Sequence, residues 1–193
     1  MGAKILGRKS NTLAPLSING ATLQGINYSM PIPSAQVKSA IIIASLSATS
    51  SSTITEPNSS RDHTERMAKF MGADIKIEES SITVNPSMLK RNNITIPGDI
   101  SSASTWLVAA CCHPNARIKI KNVGLNPTRT GSIEILKKMG GKITIENNRI
   151  ENGEPVGDII AESSNLEGTE ISGEIIPKMI DEIPNIAVAA CFS

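Results

Sequence analysis

Apolar and polar positions change their spacing several times along the chain, and each change marks the border of a predicted element. Alternating, strand-like patterns occur at NYSMPI (residues 27–32), SSTITEP, ADIKIEE and SITVNPS. Between them, SAQVKSAIIIASLSA has the apolar density of a buried helix, and DHTERMAKFMG has the pattern of an amphipathic helix. The second helix begins with Asp62-x-x-Glu65, a spacing related to a capping box, and ends near Gly72. This order of elements predicts a βαβαββ unit.

An internal repeat extends this pattern. Met-Gly pairs followed by alternating strands begin at residues 1, 71 and 139, which are 70 and then 68 residues apart. The second copy runs through NNITIPG, ISSASTWLVAACCH, ARIKIKNVG, RTGSIEILKKMG, GKITIEN and a strand near GDIIAES. A third copy starts at TEISGEIIPKM, and residues 1–20 have the pattern of closing strands. We therefore expect an α/β (α+β) protein of βαβαββ units, incomplete at both ends because the third copy stops inside its first helix.

Composition and charge exclude several classes of protein. Hydrophobic residues make up 39% and charged residues 19% of the chain, which favours a folded globular protein over a disordered one. A net charge of +1 without a basic stripe argues against a nucleic-acid partner. No apolar run approaches a membrane span, and no signal pattern opens the sequence. Three cysteines without framework spacing predict reduced thiols, a cytoplasmic location and no metal site.

The segment Ser34-Ala35-Gln36 opens the first long helix directly after Pro33. Free backbone N–H groups at a helix start can bind an anion, and a serine hydroxyl and a glutamine amide add donors. The alternative is simple N-capping by Ser34. The residues alone leave both interpretations open.

Two arginines occupy equivalent places in the repeat. Arg61 lies ten residues before Met71, and Arg129 lies ten residues before Met139. The arginine fork suits a phosphate, because it can donate two parallel hydrogen bonds. Repetition at equivalent places favours a structural role in fixing the helix entry about as strongly.

An acidic pair, Asp181-Glu182, lies among Ile180, Ile183 and Ile186. Partial removal from water in this apolar setting would make one of the carboxylates a candidate general base. The alternative is a favourable negative charge near a helix start, in which case removing Glu182 should cost about 1 kcal/mol or less.

Five ordered segments together resemble one family. SAQVKSAIIIASL, EPNSSRDHTERM, PGDISSAS, NPTRTGSIEILKKMGG and PKMIDEIPNIAVAA resemble the bacterial EPSP synthases, also called 3-phosphoshikimate 1-carboxyvinyltransferases. The resemblance covers essentially the whole chain and implies two lobes, each built from three βαβαββ units. It assigns residues 1–94 to part of the first lobe and residues 95–193 to part of the second.

The resemblance also implies roles for particular residues. Ser34, Ala35 and Gln36 match the loop that holds shikimate 3-phosphate, with Gln36 also near phosphoenolpyruvate. Ala35 stands where some relatives have serine, so its contact would be made through the backbone. Arg61 matches a contact to the substrate phosphate. Asp181 matches a substrate-binding carboxylate that takes the proton from the attacking hydroxyl.

The implied reaction moves the carboxyvinyl group of phosphoenolpyruvate to the 5-hydroxyl of shikimate 3-phosphate and releases phosphate. It belongs to the shikimate pathway of aromatic amino acid and chorismate biosynthesis, and it implies no cofactor. The family's GDKS…R, NSGT and KE…R segments are absent from this chain. We therefore expect a fragment that is inactive alone and self-associates through exposed apolar faces, and a full-length parent that is a monomer.

Two other functions stay open at this point. A transferase with a UDP-sugar acceptor has the same architecture, although SAQVKSA followed by SRDHTE resembles the shikimate enzymes better. A non-catalytic βα-repeat protein could serve as a binding module. Such a scaffold has no need to combine Ser34–Gln36, Arg61 and Asp181, so the enzyme is favoured.

Overall fold

The computed structural model describes residues 1–193, which form two compact units, Met1–Asn92 and Asn93–Ser193. The first unit begins with a two-stranded antiparallel hairpin, β1 (Lys4–Gly7) and β2 (Leu13–Asn19). These strands match the closing strands expected within residues 1–20. No helix in the chain is both long enough and apolar enough to cross a membrane.

The remainder of the first unit is the predicted βαβαββ repeat. Its strands form one sheet in the order β3-β4-β6-β5, with β3 parallel to β4 and the other pairs antiparallel. The two helices pack on this sheet around a core of isoleucine, valine, alanine and methionine side chains. In chain order the elements are β3 (Asn27–Ser29), α1 (Ala35–Leu46), β4 (Ser52–Thr55), α2 (His63–Phe70), β5 (Ile75–Glu78) and β6 (Ser81–Val84).

The second unit repeats the pattern around a larger core that includes Leu107, Leu136 and Ile159, all fully buried. Its sheet has the order β7-β9-β8 and is antiparallel throughout. A tight Asn152-Gly153 turn joins β8 to β9, and both residues have positive φ as such hairpin turns require. The elements are α3 (Ile100–Cys112), β7 (Arg117–Gly124), α4 (Gly131–Lys138), β8 (Lys142–Glu151), β9 (Glu154–Glu162) and α5 (Ile183–Ala190).

The α/β class with βαβαββ units is confirmed, but the opening strand of the second copy does not form as expected. Only Gly98 of the NNITIPG segment makes a bridge, pairing in parallel with Val123. An alternating sequence becomes a strand only where a neighbouring edge supplies a matching ladder of hydrogen bonds. In the first unit β3 pairs with β4 over three residues, whereas NNITIPG pairs with β7 through Gly98 alone.

The two units can be aligned residue by residue. The N-caps Ser34 of α1 and Asp99 of α3 are 65 residues apart. Each buried position of α1 corresponds at this spacing to a buried position of α3. They are Lys38, Ile42 and Ser45 on α1, and Ala103, Leu107 and Ala110 on α3. The second helices, α2 and α4, begin 68 residues apart, so that Arg61 corresponds to Arg129.

Candidate functional site

The start of α1 is a helix N-terminus with accessible donors. Ser34 has extended backbone angles, and its Oγ accepts the Val37 N–H at 3.4 Å, so the N-cap interpretation is confirmed. Its hydroxyl also lies 3.4 Å from Gln36 Oε1, and the Gln36 side chain is exposed. No acidic residue occupies the first turn. The positive end of this helix is therefore not neutralised by its own residues.

Arg61 lies in the loop between β4 and α2, and this loop is held from inside the unit. The Glu56 carboxylate, which is almost fully buried, accepts the Ser60 N–H at 3.3 Å and the Ser60 hydroxyl at 2.7 Å through Oε2. Since Ser60 directly precedes Arg61, these bonds fix the backbone from which the half-buried arginine side chain extends.

One buried ammonium group joins this loop to α1. Lys38 Nζ lies 3.0 Å from Glu56 Oε1 and 2.8 Å from Glu65 Oε1, and it donates to the Ser60 carbonyl at 3.4 Å. The side chain is only 1% exposed. Lys38 is one helical turn after Ser34, so a single group connects the helix that begins with Ser34–Gln36 to the loop that carries Arg61.

The capping box expected at the start of α2 is wrong. The Asp62 side chain makes no capping bond and accepts from Arg66 Nε at 2.8 Å instead. Glu65 turns into the core and pairs with Lys38, which leaves both of its oxygens without a well-directed hydrogen bond. Burial of a lysine in the interior decides the orientation of Glu65, since a buried charge requires a partner.

Asp181 belongs to the second unit, in the short 3-10 turn Ile180–Glu182 that leads into α5. Asp181 is exposed, whereas its neighbour Glu182 is only 1% exposed. The expected withdrawal of the acidic pair from water is therefore wrong for Asp181 and confirmed for Glu182. Glu182 does stand at a helix start, as the N-cap residue of α5, but its side chain is directed inward and makes no capping bond.

The Glu182 carboxylate is part of a relay of polar groups that also includes Ser101, Arg129 and Asp99. The Ser101 hydroxyl donates to Glu182 Oε1 and accepts from Arg129 Nη2, the latter at 2.5 Å. Arg129 Nη2 also lies 3.7 Å from Glu182 Oε1 and 3.6 Å from Asp99 Oδ1. Arg129 thus makes structural contacts at the entry of α4, in line with one of the two interpretations of its position in the repeat.

Asp99 adds a second carboxylate to this relay. Burial raises the pKa of its carboxyl, but the hydrogen bonds from Ser102 and Ser101 and the charge of Arg129 outweigh that effect and hold the pKa below its usual value. As the N-cap of α3, the Asp99 carboxylate accepts both backbone N–H groups. Arg129 consequently faces one buried carboxylate and one half-exposed carboxylate.

The structure thus brings Ser34, Ala35, Gln36 and Arg61 into one unit and places Asp181 in the other. Sequence reasoning did not single out the three charged residues behind the first group, Lys38, Glu56 and Glu65. The available signal was Lys38 itself, because it stands inside an apolar helical pattern at a position that corresponds to Ala103 in the second copy.

Comparisons with known proteins agree on one family. The family model described as EPSP synthase (3-phosphoshikimate 1-carboxyvinyltransferase) matches residues 1–193. The 3-phosphoshikimate 1-carboxyvinyltransferase of Gloeothece citriformis is 53% identical over 196 residues, which cover 100% of this chain and 44% of the relative. That of Synechococcus elongatus is 52% identical, with the same coverage. The chain therefore spans less than half the length of these relatives.

Solved structures give the same result for the fold. EPSP synthase from Acinetobacter baumannii matches with a TM-score of 0.91 and 44% identity over 98% of this chain and 43% of that chain. The enolpyruvyl transferase NikO from Streptomyces tendae matches with a TM-score of 0.68 and 14% identity over 100% of this chain and 47% of that chain. This second similarity concerns the fold alone.

Proposed function

The chain belongs to the EPSP synthase family, and from this premise we propose that it supplies part of the active site of a 3-phosphoshikimate 1-carboxyvinyltransferase. The reaction adds the 5-hydroxyl of shikimate 3-phosphate to phosphoenolpyruvate and then expels phosphate from the tetrahedral intermediate. In this proposal Ser34, Ala35, Gln36 and Arg61 bind shikimate 3-phosphate, and Asp181 accepts the proton of the attacking hydroxyl.

The observation that carries the proposal is that the first unit links two segments whose hydrogen-bond donors suit a phosphate group. The start of α1 offers backbone N–H groups, the Ser34 hydroxyl and the exposed Gln36 amide. The loop after β4 offers the Arg61 guanidinium, which suits a phosphate dianion. Lys38 connects the two segments directly through Glu56 and the Ser60 carbonyl.

Asp181 suits the role of a base in this proposal because it is accessible while its neighbours are anchored. Met179 and Glu182 on either side are each 1% exposed, so the short turn is fixed on both sides of the carboxylate. A fixed and accessible carboxylate can approach a substrate hydroxyl without rearrangement of the backbone.

We further propose that the enzyme works in the cytoplasm, has phosphoenolpyruvate as its second substrate and is a monomer at full length. The three cysteines are unpaired, as the expected reducing compartment requires. No nucleic-acid or membrane partner forms part of the proposal.

Binding of shikimate 3-phosphate to the chain tests the first half of this function. Titration of the ¹⁵N-labelled chain should shift the amide resonances of Ser34–Gln36 and of Arg61, and shikimate without its phosphate should bind more weakly. Arg61→Met should raise the Kd about tenfold to a hundredfold, because hydrogen bonds to a charged group contribute about 1.5–3 kcal/mol each.

The matched control is Arg91→Met, which removes the same charge from an exposed position of the same unit. This variant should bind like the unchanged chain. The assignment would be refuted by a titration that moves no resonance of these residues, or by equal loss of binding in both variants.

A further inference from the structure

The buried charges of the first unit have no counterparts in the second unit. Lys38 and Glu65 are each 1% exposed, and Glu56 is 6% exposed. With the same spacings of 65 and 68 residues that align the helices, these three positions correspond to apolar or small residues. The corresponding residues are Ala103, Gly124 and Ile133. The second unit therefore forms the corresponding helices and the three corresponding later strands without any of the three charges.

The loop between β4 and α2 and the corresponding loop between β7 and α4 also differ in the residues that hold them. In the second unit Asn126 Oδ1, within the loop, accepts the Thr128 N–H at 2.9 Å and its hydroxyl at 2.7 Å, and Asn126 Nδ2 donates to Glu154 of β9 at 2.9 Å. In the first unit the corresponding Ser60 makes the same pair of bonds to Glu56 instead. Its loop is therefore held by a carboxylate that is itself held by Lys38 on α1.

Two further contacts fix α2 in the same arrangement. Glu65, in the first turn of α2, lies 2.8 Å from Lys38 Nζ. The hydroxyls of Ser39 and Thr64 are 2.6 Å apart and form a hydrogen bond between the same two helices. The start of α1, the loop and the start of α2 thus meet at one ammonium group.

Burying these three charges costs desolvation free energy, so the arrangement calls for a role other than stability. Removing two carboxylates and an ammonium from water costs several kcal/mol per ion, and apolar replacements of buried ion pairs are often neutral or stabilising. The set carries a formal charge of −1 and leaves Glu65 Oε2 without a partner. The second unit has apolar or small residues at these three positions, so the fold alone does not explain the charges, whereas the hydrogen bonds from Ser60 to Glu56 connect them to the loop that carries Arg61.

We propose that Lys38, Glu56 and Glu65 are positioning residues that set the Arg61 loop against the start of α1, and so determine how tightly a phosphomonoester is held there. The proposal rests on the proposed function, because it assigns the network to the shikimate 3-phosphate site. None of the three side chains needs to touch the substrate. Their effect passes through the backbone of Ser60 and Arg61.

The test is a variant that removes all three charges at similar volume, Lys38→Met/Glu56→Gln/Glu65→Leu, in the full chain. Its free energy of unfolding in urea should equal that of the unchanged chain or exceed it. Its Kd for shikimate 3-phosphate should rise at least about tenfold, and amide exchange should become faster at Ser60 and Arg61 but not in the sheet. Lys76→Met, at an exposed strand position, is the control and should change neither property.

Each outcome decides between the two proposals. Weaker binding by a stably folded triple variant supports the positioning network. Unchanged binding by the triple variant, together with weaker binding by Arg61→Met, would overturn the network and leave the proposed function standing. Loss of folding would also overturn it, because the charges would then be a requirement of the fold. Absence of shikimate 3-phosphate binding by the unchanged chain would remove the proposed site and this inference together.

Discussion

Asp181→Asn is expected to lower kcat by about 10²–10⁴-fold, because asparagine keeps the shape of the side chain and cannot accept the proton of the attacking hydroxyl. The variant is measured in a chimeric enzyme, in which this chain replaces the matching segment of the Gloeothece citriformis relative. Since the base acts mainly in the transition state, the KM for shikimate 3-phosphate should change far less than kcat.

Glu174→Gln is the matched control for this experiment. It removes one negative charge from an exposed position in the preceding 3-10 helix, Gly173–Lys178. The control should keep its kcat. A near-unchanged kcat in Asp181→Asn, or an equal loss in both variants, would show that Asp181 is not the base.

Glu182→Ala is expected to lower the free energy of unfolding by about 3 kcal/mol, since removing one partner of a buried ion pair is strongly destabilising. The variant would leave the Ser101 hydroxyl without its acceptor and Arg129 with only the half-exposed Asp99 carboxylate. Urea unfolding of the chain, monitored at Trp106 of α3, measures the effect in the unit that contains this relay.

Glu174→Ala again provides the comparison, with an expected change of about 0.5 kcal/mol or less at an exposed position. A loss of about 1 kcal/mol or less in Glu182→Ala would indicate that Glu182 acts only as a favourable charge near a helix start. It would also contradict the role of the relay in holding the turn that presents Asp181.

The periodicity of the sequence was sufficient for the elements whose partners are close in the chain. The β5–β6 hairpin and the β8–β9 hairpin follow from alternation and turn residues, and α1 follows from its cap and its apolar run. NNITIPG has the same alternation but gains no ladder, because strand formation depends on an edge that the local sequence does not describe.

The same distinction explains which site residues the sequence could indicate. A helix start indicates Ser34–Gln36, and an arginine repeated at equivalent places indicates Arg61. Both signals are local features of the sequence. Glu65 was assigned to a cap because Asp62-x-x-Glu65 satisfies a local rule, whereas its partner Lys38 lies on another helix. The contacts of Glu182 likewise could not be read from local sequence, because its partners, Ser101 and Arg129, are distant in sequence.

Enolpyruvyl transfer by the chimeric enzyme is the most direct test of the proposed function. The purified chimera, prepared from a host that lacks its own 3-phosphoshikimate 1-carboxyvinyltransferase, is supplied with shikimate 3-phosphate and phosphoenolpyruvate, and phosphate release is followed. We expect release that requires both substrates, and we expect Arg61→Met to raise the KM for shikimate 3-phosphate. A folded chimera that releases no phosphate, beside a Gloeothece citriformis enzyme that does, would contradict the assignment of this chain to the active site.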